Sequence, residues 1–414
     1  MSFLISVIGF ILALLTPLAS LVLTDPTAAF DSEIQLLEEK TGGYIRGLCH
    51  PDNNYALIKD ANIEWIREDL PLPVNADGTP NIYYEYWKQE ALQLAENGIR
   101  IMAITPYPDE YIEIGLDPRV PENESKIKEI AQFYVNDLKE VVGAFQITNE
   151  MGVDRFTYPL TMEEAARFIG IQLEAMHPIK GNIITGYNLT AQGLLQLPGL
   201  MKPWHQYCDY VGLDLYLGCF EGFTKSIDQN IVALKYVRRV TGKPVILCEF
   251  GYIGLGEPKT DKERVAILQK YGYSSEEEAL ADIDNFVAKL PGSIPEEFMQ
   301  YKDESIDFKA QLLFEGEYRN HIYCELPEGY GLYGYAHTPE GQAEFYEDML
   351  SKASKLDFVA GSFIYCWQDS DACYICDQAE CPVETKWGLI DYEGNPKPAY
   401  YAVQSEYGKI KEKY

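Results

Sequence analysis

Two glutamates stand in strand-like apolar runs, and both could carry acid–base chemistry. Glu150 closes the run 144–150 directly after Asn149, and Glu249 lies within the run 245–251. Each run has the composition of a short buried strand, and barrel enzymes carry their reacting groups at the carboxyl ends of such strands. Two carboxyl groups facing one cavity can protonate a leaving oxygen and attack an anomeric carbon, which is the chemistry of glycosidic cleavage.

The pair requires a fold that brings residues 150 and 249 together. Strand-like segments occur at 44–49, 64–67, 100–105, 144–149, 182–187, 210–216, 244–249 and 358–367. Helical patterns lie at 86–97, 124–141, 161–176, 228–240 and 338–355, and a last helix is expected at 400–411. This alternation requires parallel strands with helical crossovers. We therefore predict an α/β protein built on a (β/α)8 TIM barrel, since eight such units favour a closed barrel over an open sheet.

One segment is too long for a loop between a strand and a helix. Residues 255–335 hold 17 Asp or Glu against 8 Lys or Arg and show a helical pattern of their own at 275–290. The length predicts an inserted subdomain after strand seven, on the face where barrel enzymes bind substrate. We expect a single catalytic domain at 31–414 that carries the insertion 255–335.

Other strand ends offer polar and aromatic side chains suited to a sugar. Arg67 is expected to hold Glu249 ionised, Asn149 to donate to a sugar hydroxyl, and Tyr216 to orient Glu249. Tyr216 and Trp367 could stack on the C–H face of a pyranose ring, although Trp367 could instead cap the core. Further candidates at the same rim are His50, Asp69, Tyr107, Tyr187, Asn188 and Asp214. The alternative for His50, Asp69 and Asp214 is that they only satisfy backbone groups at strand ends.

Charge and histidine content argue against several classes of function. The net charge is 34 − 64 = −30, which would repel a nucleic acid or an anionic membrane surface. The five histidines, at positions 50, 177, 205, 321 and 337, show no H-x-H or H-E-x-x-H spacing. A metal-dependent hydrolase is therefore not predicted, and the double displacement expected of the glutamate pair requires no cofactor.

The nine cysteines are an odd number, and three of them crowd one loop. Cys373, Cys376 and Cys381 have the spacing C-x2-C-x4-C, which allows a disulfide or, with Cys366 or another ligand, a structural zinc ion. We favour the disulfide because the spacing lacks a second C-x2-C half and because export is also predicted.

The apolar stretch at the N-terminus predicts that the protein is exported. Residues 2–23 contain no charged side chain and are dominated by Leu, Ile, Val, Phe and Ala, with Pro17 interrupting the run. Such a stretch is typical of a signal peptide or an N-terminal membrane anchor within residues 1–30, and a buried helix of the mature domain is the alternative. We expect an extracytoplasmic protein, either secreted or held at the membrane by residues 2–23.

The motifs around the two glutamates resemble those of the retaining glycoside hydrolases of clan A, over residues 44–404. Asn149-Glu150 on strand four and Glu249 on strand seven carry the resemblance. The second half is most similar to the barrel of family 2 in the segments 209–216, 242–251, 341–346, 359–367, 386–391 and 396–400. A family 5-like barrel is the alternative, because too few residues precede strand one to form the β-sandwich domains of family 2.

The resemblance implies that Glu150 is the acid/base and Glu249 the nucleophile of a retaining β-glycoside hydrolase acting on an oligosaccharide, polysaccharide or other glycoside. The glucuronidase motif Asn-x-Lys reads Glu384-Thr385-Lys386 here. A glutamate at this place would repel a uronate, which favours neutral sugars, as in β-galactosidases, β-mannosidases, β-glucanases and β-mannanases. The alternatives are a β-glucuronidase-like enzyme and a carbohydrate-binding pseudoenzyme on the same barrel.

Overall fold

Eight parallel strands close into a barrel in the computed structural model of the chain, which describes residues 31–219, 225–316, 318–326 and 330–413. The strands are β1 Ile45–Cys49, β2 Trp65–Asp69, β3 Arg100–Ile104, β4 Val142–Gln146, β5 Ile184–Leu189, β6 Tyr210–Leu215, β7 Val245–Phe250 and β8 Val359–Ile364. Most are buried along their whole length, as expected when helices cover one face and the barrel interior the other. The predicted (β/α)8 barrel is confirmed.

Helices surround the barrel in the order that the sequence predicts. Those before β7 are α1 Asp31–Thr41, α2 Tyr55–Asp60, α3 Ile82–Glu96, α4 Pro108–Glu113, α5 Glu124–Leu138, α6 Asp154–Thr157, α7 Met162–Met176, α8 Leu197–Leu200 and α9 Asp228–Thr241. Thr161 and Glu164 form a capping box at the start of α7. A left-handed Gly242 ends α9, where a side chain would be strained. Between β5 and β6, α8 and the 3-10 helix Lys202–Tyr207 replace a long crossover helix.

The segment 255–335 consists of short helices between β7 and the next barrel helix. They are α10 Asp261–Lys270, α11 Glu276–Ala281, α12 Ile283–Val287, α13 Ile294–Phe298, α14 Ile306–Ala310 and α15 Arg319–Tyr323, with the 3-10 turn Met299–Tyr301 and the π-helical turn Gln311–Glu315. Glu325, which is fully buried, binds Arg264 at 2.9 Å and Arg319 at 3.0 Å. This ion-pair triad joins the first and last helices of the segment.

The chain then returns to the barrel and closes it. α16 Pro339–Ala353, α17 Pro382–Thr385 and α18 Pro398–Lys413 complete the helices. β1 pairs with β8 in parallel from Ile45 opposite Gly361 onwards. The hydroxyl of Tyr407 on α18 donates to the carbonyl oxygens of Gly47 (3.1 Å) and Ser362 (2.9 Å), one on each side of this seam. The C-terminal helix therefore fixes the closure.

The barrel interior is layered from apolar to polar along the strands. Its apolar layers contain Leu37, Ile45, Cys49, Trp65, Met102, Ala144, Ile184, Tyr210, Ile246, Cys248, Ala360 and Phe363. Leu37 comes from α1, which closes the end where the strands begin. One step further along the strands, Arg67, Gln146, Asn188 and Asp214 are buried polar side chains. These four form the floor of the barrel mouth.

The predicted N-terminal signal or anchor, residues 1–30, lies outside the described residues. Within the part of the chain that the structure describes, no helix combines the length and the apolar character needed to cross a bilayer.

Candidate active site

Glu249 is held at the barrel mouth by two donors, one on β2 and one directly after β6. Arg67 of β2, which is 1% exposed, donates through Nη1 to one carboxylate oxygen. The Tyr216 hydroxyl donates to the other. Burial would lower the pKa of Arg67, but Glu249 and the neighbouring acidic groups together outweigh burial and hold the pKa well above its usual range. Burial and then the charge of Glu249 raise the pKa of Tyr216, which keeps its hydroxyl a donor.

A β-bulge turns Glu249 towards the mouth. In strict alternation Cys248 faces the barrel interior, and its neighbour Glu249 would face the helices. The pairing of β6 with β7 shifts between Leu213–Leu247 and Asp214–Glu249, which leaves Cys248 without a partner in the register. Such a bulge re-aims the following side chain, a common arrangement beside active sites.

Amide side chains fix the position of Asn149. Its Oδ1 accepts from Arg67 Nη2 at 2.7 Å, from Gln146 Nε2 at 3.0 Å and from Asn188 Nδ2 at 2.6 Å. Gln146 Oε1 also accepts from Arg67 Nε at 2.9 Å. Because its oxygen is fully occupied, Asn149 presents its NH2 group as a donor for a ligand.

Glu150 lies in a strained turn after β4, four residues beyond the end of the strand. Thr148 and Glu150 both adopt the left-handed conformation, with φ of 50° and 49°. The Thr148 N–H donates to Thr105 Oγ1 and the Glu150 N–H to Asn188 Oδ1, each at 3.0 Å. Such strain persists where surrounding contacts fix it, typically at functional sites. The turn places the half-buried Glu150 beside the other acids of the mouth.

Three carboxyl groups meet at this point. One oxygen each of Glu150, Asp214 and Glu249 lies within 4.8 Å of the other two. Burial raises the pKa of Asp214 well above its usual range and the charge of Glu249 raises it further, while Arg67 opposes both. Asp214 Oδ2 accepts from Asn188 Nδ2 at 2.6 Å, and its Oδ1 has no partner. The site therefore favours the protonated form of Asp214.

This donor set could also suit a divalent cation, but its surroundings fit an acid–base pair better. The guanidinium of Arg67 is bonded to Glu249 and would repel a cation placed between the carboxyl groups. A protonated Asp214 would offer a weak ligand.

An aromatic group borders the mouth, and Tyr365 is its centre. The Tyr365 ring makes edge-to-face contacts with three other rings. The distances between ring centroids are 5.5 Å to His50, 5.7 Å to Tyr216 and 5.6 Å to Trp387. Trp387 also meets Tyr216 at 5.3 Å. These rings offer the apolar surface that a sugar ring requires.

The predicted stacking role of Trp367 is wrong. The side chain is fully buried and packs against Tyr400 of α18 at 6.1 Å. The strand ends at Ile364, and beyond it the chain turns Trp367 away from the mouth. Trp367 therefore caps the core, and Tyr365 occupies the place that we predicted for it.

The remaining rim candidates divide into two groups. Asp69 is exposed at the end of β2 and accepts from the Tyr107 hydroxyl at 3.2 Å. Burial and the charge of Asp69 raise the pKa of Tyr107. Tyr187, in contrast, is buried between barrel and helices, where its hydroxyl lies 3.1 Å from His205 Nε2. It does not reach the mouth, because neighbouring strand residues point to opposite faces.

Two further residues of this site do not appear among the predicted candidates. Gln146 is a polar residue within the apolar run of β4, and that break in the pattern was the available signal. Tyr365 is the first residue after β8, and aromatic character at a strand end was its signal.

Solved structures with this architecture include several glycoside hydrolases. A family 39 glycoside hydrolase from Bacteroides cellulosilyticus WH2 matches with a TM-score of 0.53 and 13% identity, over 90% of this chain and 65% of that one. The β-D-glucuronidase of Dictyoglomus thermophilum matches at 0.50 and 13%, over 89% and 51%. The β-glucuronidase of Ruminococcus gnavus matches at 0.50 and 14%, over 89% and 50%. The chain has the barrel fold of these hydrolases.

The similarity is one of fold, and the chain spans about half the length of the glucuronidases that it matches. No protein-family model matches the sequence, and no curated protein matches it.

Proposed function

We propose that the protein is a retaining β-glycoside hydrolase. The spacing of Glu150 and Glu249 carries the proposal, since an oxygen of each lies within 4.8 Å of the other. Retaining enzymes hold their two carboxyl groups about 5–5.5 Å apart, whereas inverting enzymes leave about 6.5–9.5 Å for a water molecule. The barrel fold shared with glycoside hydrolases supports the same reading.

The two carboxyl groups have different surroundings, which suits different roles. Glu249 accepts from Arg67 and Tyr216, and these two donors position its carboxyl group as the nucleophile. Glu150 is half-buried, comes from the turn after β4 and lies within 4.8 Å of Glu249, a position from which it could give a proton to a leaving oxygen.

The reaction follows from these roles in two steps. Glu249 attacks the anomeric carbon while Glu150 transfers its proton to the departing oxygen, which breaks the glycosidic bond and leaves a glycosyl ester on Glu249. Glu150, now a carboxylate, then takes a proton from water as that water attacks the anomeric carbon. The ester bond breaks, and the anomeric configuration is retained. The Asn149 NH2 group is placed to donate to a sugar hydroxyl in both steps.

Neutral sugars fit the charge of the mouth best. Glu249 brings a carboxyl group to the mouth, and the charge of Glu384 reaches Tyr365 at the rim. A substrate carboxylate would meet repulsion there, and Arg67 is already occupied by Glu249. A glucuronidase-like activity is the competing proposal, since two of the structures named above are β-glucuronidases. Comparing kcat/KM on 4-nitrophenyl β-glucoside, β-galactoside, β-mannoside and β-glucuronide decides between them.

The segment 255–335 is proposed as a wall of the substrate cleft. Near its end, the Gly331 N–H donates to the Gly218 carbonyl at 2.7 Å, two residues after Tyr216. The Tyr252 hydroxyl, shortly after β7, donates to the Tyr335 carbonyl at 2.8 Å. These contacts tie the segment to the loops that follow β6 and β7, which form the substrate face in barrel enzymes.

Glutamine variants test the roles of the two glutamates. Glu249→Gln should abolish turnover of every glycoside. Glu150→Gln should slow substrates with poor leaving groups about 10²–10⁴-fold but largely spare the first step for dinitrophenyl glycosides, which need no proton. Glu96→Gln, at an exposed site on α3, is the matched control and should behave like the wild type.

Azide provides the stereochemical test. It should rescue Glu150→Ala and yield the β-glycosyl azide, because a second inversion at the ester restores the configuration. An α-glycosyl azide from this variant would reverse the assigned roles. Binding of glycans without turnover of any glycoside would show a carbohydrate-binding protein instead and overturn the proposal.

A further inference from the structure

A cluster of buried thiols lies outside the catalytic mouth. It consists of Cys373, Cys376, Cys381 and His321, whose donor atoms all lie within 4.8 Å of one another. His321 is 4% exposed and the three cysteines 1% or less. We call these four residues the thiol cluster.

The favoured disulfide in this loop is wrong for the structure, in which Cys373, Cys376 and Cys381 form no disulfide. Cys366, considered as a possible fourth ligand, is also not part of the cluster. Its thiol donates instead to the Gln368 carbonyl at 3.5 Å. The fourth member is His321 of α15, which comes from the segment 255–335.

The loop between Cys373 and Cys381 is folded as a compact knuckle around its thiols. The Cys376 N–H donates to Cys373 Sγ at 3.5 Å, a contact that stabilises a thiolate. The Asp377 N–H donates to the Cys373 carbonyl at 2.7 Å, and Asp377 takes the left-handed conformation with φ of 53°. The Cys381 N–H donates to the Gln378 carbonyl at 3.3 Å. The backbone thus turns all three thiols to one side.

The distances within the cluster match a tetrahedral ion. His321 Nδ1 lies 3.5 Å from Cys373 Sγ and 3.7 Å from Cys381 Sγ. Zinc bonds of about 2.3 Å to sulfur and about 2.05 Å to nitrogen, at tetrahedral angles, would separate nitrogen from sulfur by about 3.6 Å. The ligands already have nearly the mutual spacing that zinc requires.

We propose that His321, Cys373, Cys376 and Cys381 bind one Zn²⁺ ion. Three thiolates and an imidazole in tetrahedral array form a preferred donor set for this ion. Two disulfides would use the thiols of Cys324 and the three loop cysteines but would leave the imidazole buried against sulfur. A metal ion gives every member of the cluster a partner.

Cys324 is the competing fourth ligand, and it is not the one we assign. It follows His321 by three residues, and its thiol interacts with those of Cys376 and Cys381. Its thiol also donates to the His321 carbonyl at 3.7 Å. His321 belongs to the set in which every donor atom lies close to every other, and Cys324 does not.

Four protein ligands leave no open position, which makes the proposed ion structural rather than catalytic. It would join α15 to the loop after β8. The segment 255–335 touches this loop again at Ser293, whose N–H donates to the Ile375 carbonyl at 2.9 Å. α17 begins directly after Cys381, and the Trp387 indole donates to the Val383 carbonyl at 2.5 Å. The ion would thereby support Trp387, which packs against Tyr216 at the mouth.

Metal content of the purified protein tests the assignment. After dialysis against a weak chelator, elemental analysis should find one zinc per wild-type chain. Cys376→Ser and His321→Ala should each lose most of it. Cys366→Ser and Cys324→Ser are the matched controls and should retain it. Loss of zinc in Cys324→Ser with retention in His321→Ala would overturn the assigned ligand set.

Spectroscopy keeps the proposal testable if a ligand variant does not fold. X-ray absorption of the wild-type protein should show three sulfur neighbours at about 2.3 Å and one nitrogen at about 2.0 Å. Cobalt substitution should give the intense visible absorption of a tetrahedral thiolate site. The proposal would be overturned in favour of disulfides by two results together. The wild-type protein would contain no metal, and its denatured form would show titratable thiols only after a reductant is added. Neither result depends on glycosidase activity.

Discussion

Asp214→Asn should stabilise the protein progressively as the pH rises. Asp214 is buried, has no cation in hydrogen-bond contact and lies beside Glu249 and Glu150. Asparagine has the same shape, and its oxygen can accept from Asn188 as Asp214 Oδ2 does at 2.6 Å. At acid pH, where both residues are neutral, the free energies of unfolding should be nearly equal.

The magnitude follows from the direction of the pKa shift. The pKa of Asp214 is raised in the folded state, first by burial and then by Glu249, whereas in an unfolded chain an aspartate titrates near ~3.9. Folding therefore favours the protonated form. The stability that this form contributes is complete below the unfolded pKa and is lost as the pH rises through the folded pKa. Within that window the wild type should lose ~1.4 kcal/mol per pH unit relative to Asp214→Asn.

Urea unfolding of both proteins, followed by fluorescence at steps from pH ~4 to ~8, measures this difference. Asp209→Asn is a control of opposite sign. Burial would raise the pKa of Asp209, but its ion pair with Lys180 holds the pKa below the usual range. The wild type should therefore have a higher free energy of unfolding than Asp209→Asn at neutral pH, and this difference should shrink as the pH falls through the pKa of Asp209 in the folded protein. Parallel curves for the wild type and Asp214→Asn would refute a protonated Asp214.

Three other variants test the packing around the mouth. Arg67→Met should lower the free energy of unfolding by ~3–5 kcal/mol in urea titrations, because it leaves a buried carboxylate unpaired; an unchanged midpoint would contradict this. Gly47→Ala should cost ~1–3 kcal/mol, since its Cβ would overlap the Phe363 ring, and adding Phe363→Leu should recover part of the loss. Trp387→Phe should weaken the packing against Tyr365 and lower kcat/KM about 2–12-fold, which corresponds to ~0.5–1.5 kcal/mol for an aromatic pair. A kcat/KM equal to that of the wild type would show that Trp387 does not contribute to activity.

The fold could be predicted because strand and helix periods alternate over most of the chain. The strand ends could not be predicted as well, because local backbone geometry decides them. β4 ends at Gln146 rather than Asn149, because Thr148 and Glu150 adopt left-handed conformations. Residue propensities do not predict these conformations. The inward direction of Glu249 likewise depends on a bulge, and a regular strand of the same sequence would turn it outward.

The errors at Trp367 and in the cysteine loop have a related cause. Two aromatic residues follow β8 within three positions, and the path of the chain beyond the strand decides which ring reaches the mouth. The thiol cluster depends on a contact between residues 52 positions apart, His321 and Cys373. Spacing within the loop alone could not reveal the imidazole, because it arrives from a different segment.

The seam between β1 and β8 has a consequence for synthesis of the protein. Its two strands lie more than 300 residues apart in the chain, and Tyr407, which bonds to both, follows the end of β8 by 407 − 364 = 43 residues. A nascent chain therefore cannot close the barrel until β8 leaves the ribosome. Unpaired strand edges are templates for aggregation. Premature termination or stalling anywhere before β8 would leave β1 exposed as such an edge, and the exit of α18 from the ribosome would complete its protection.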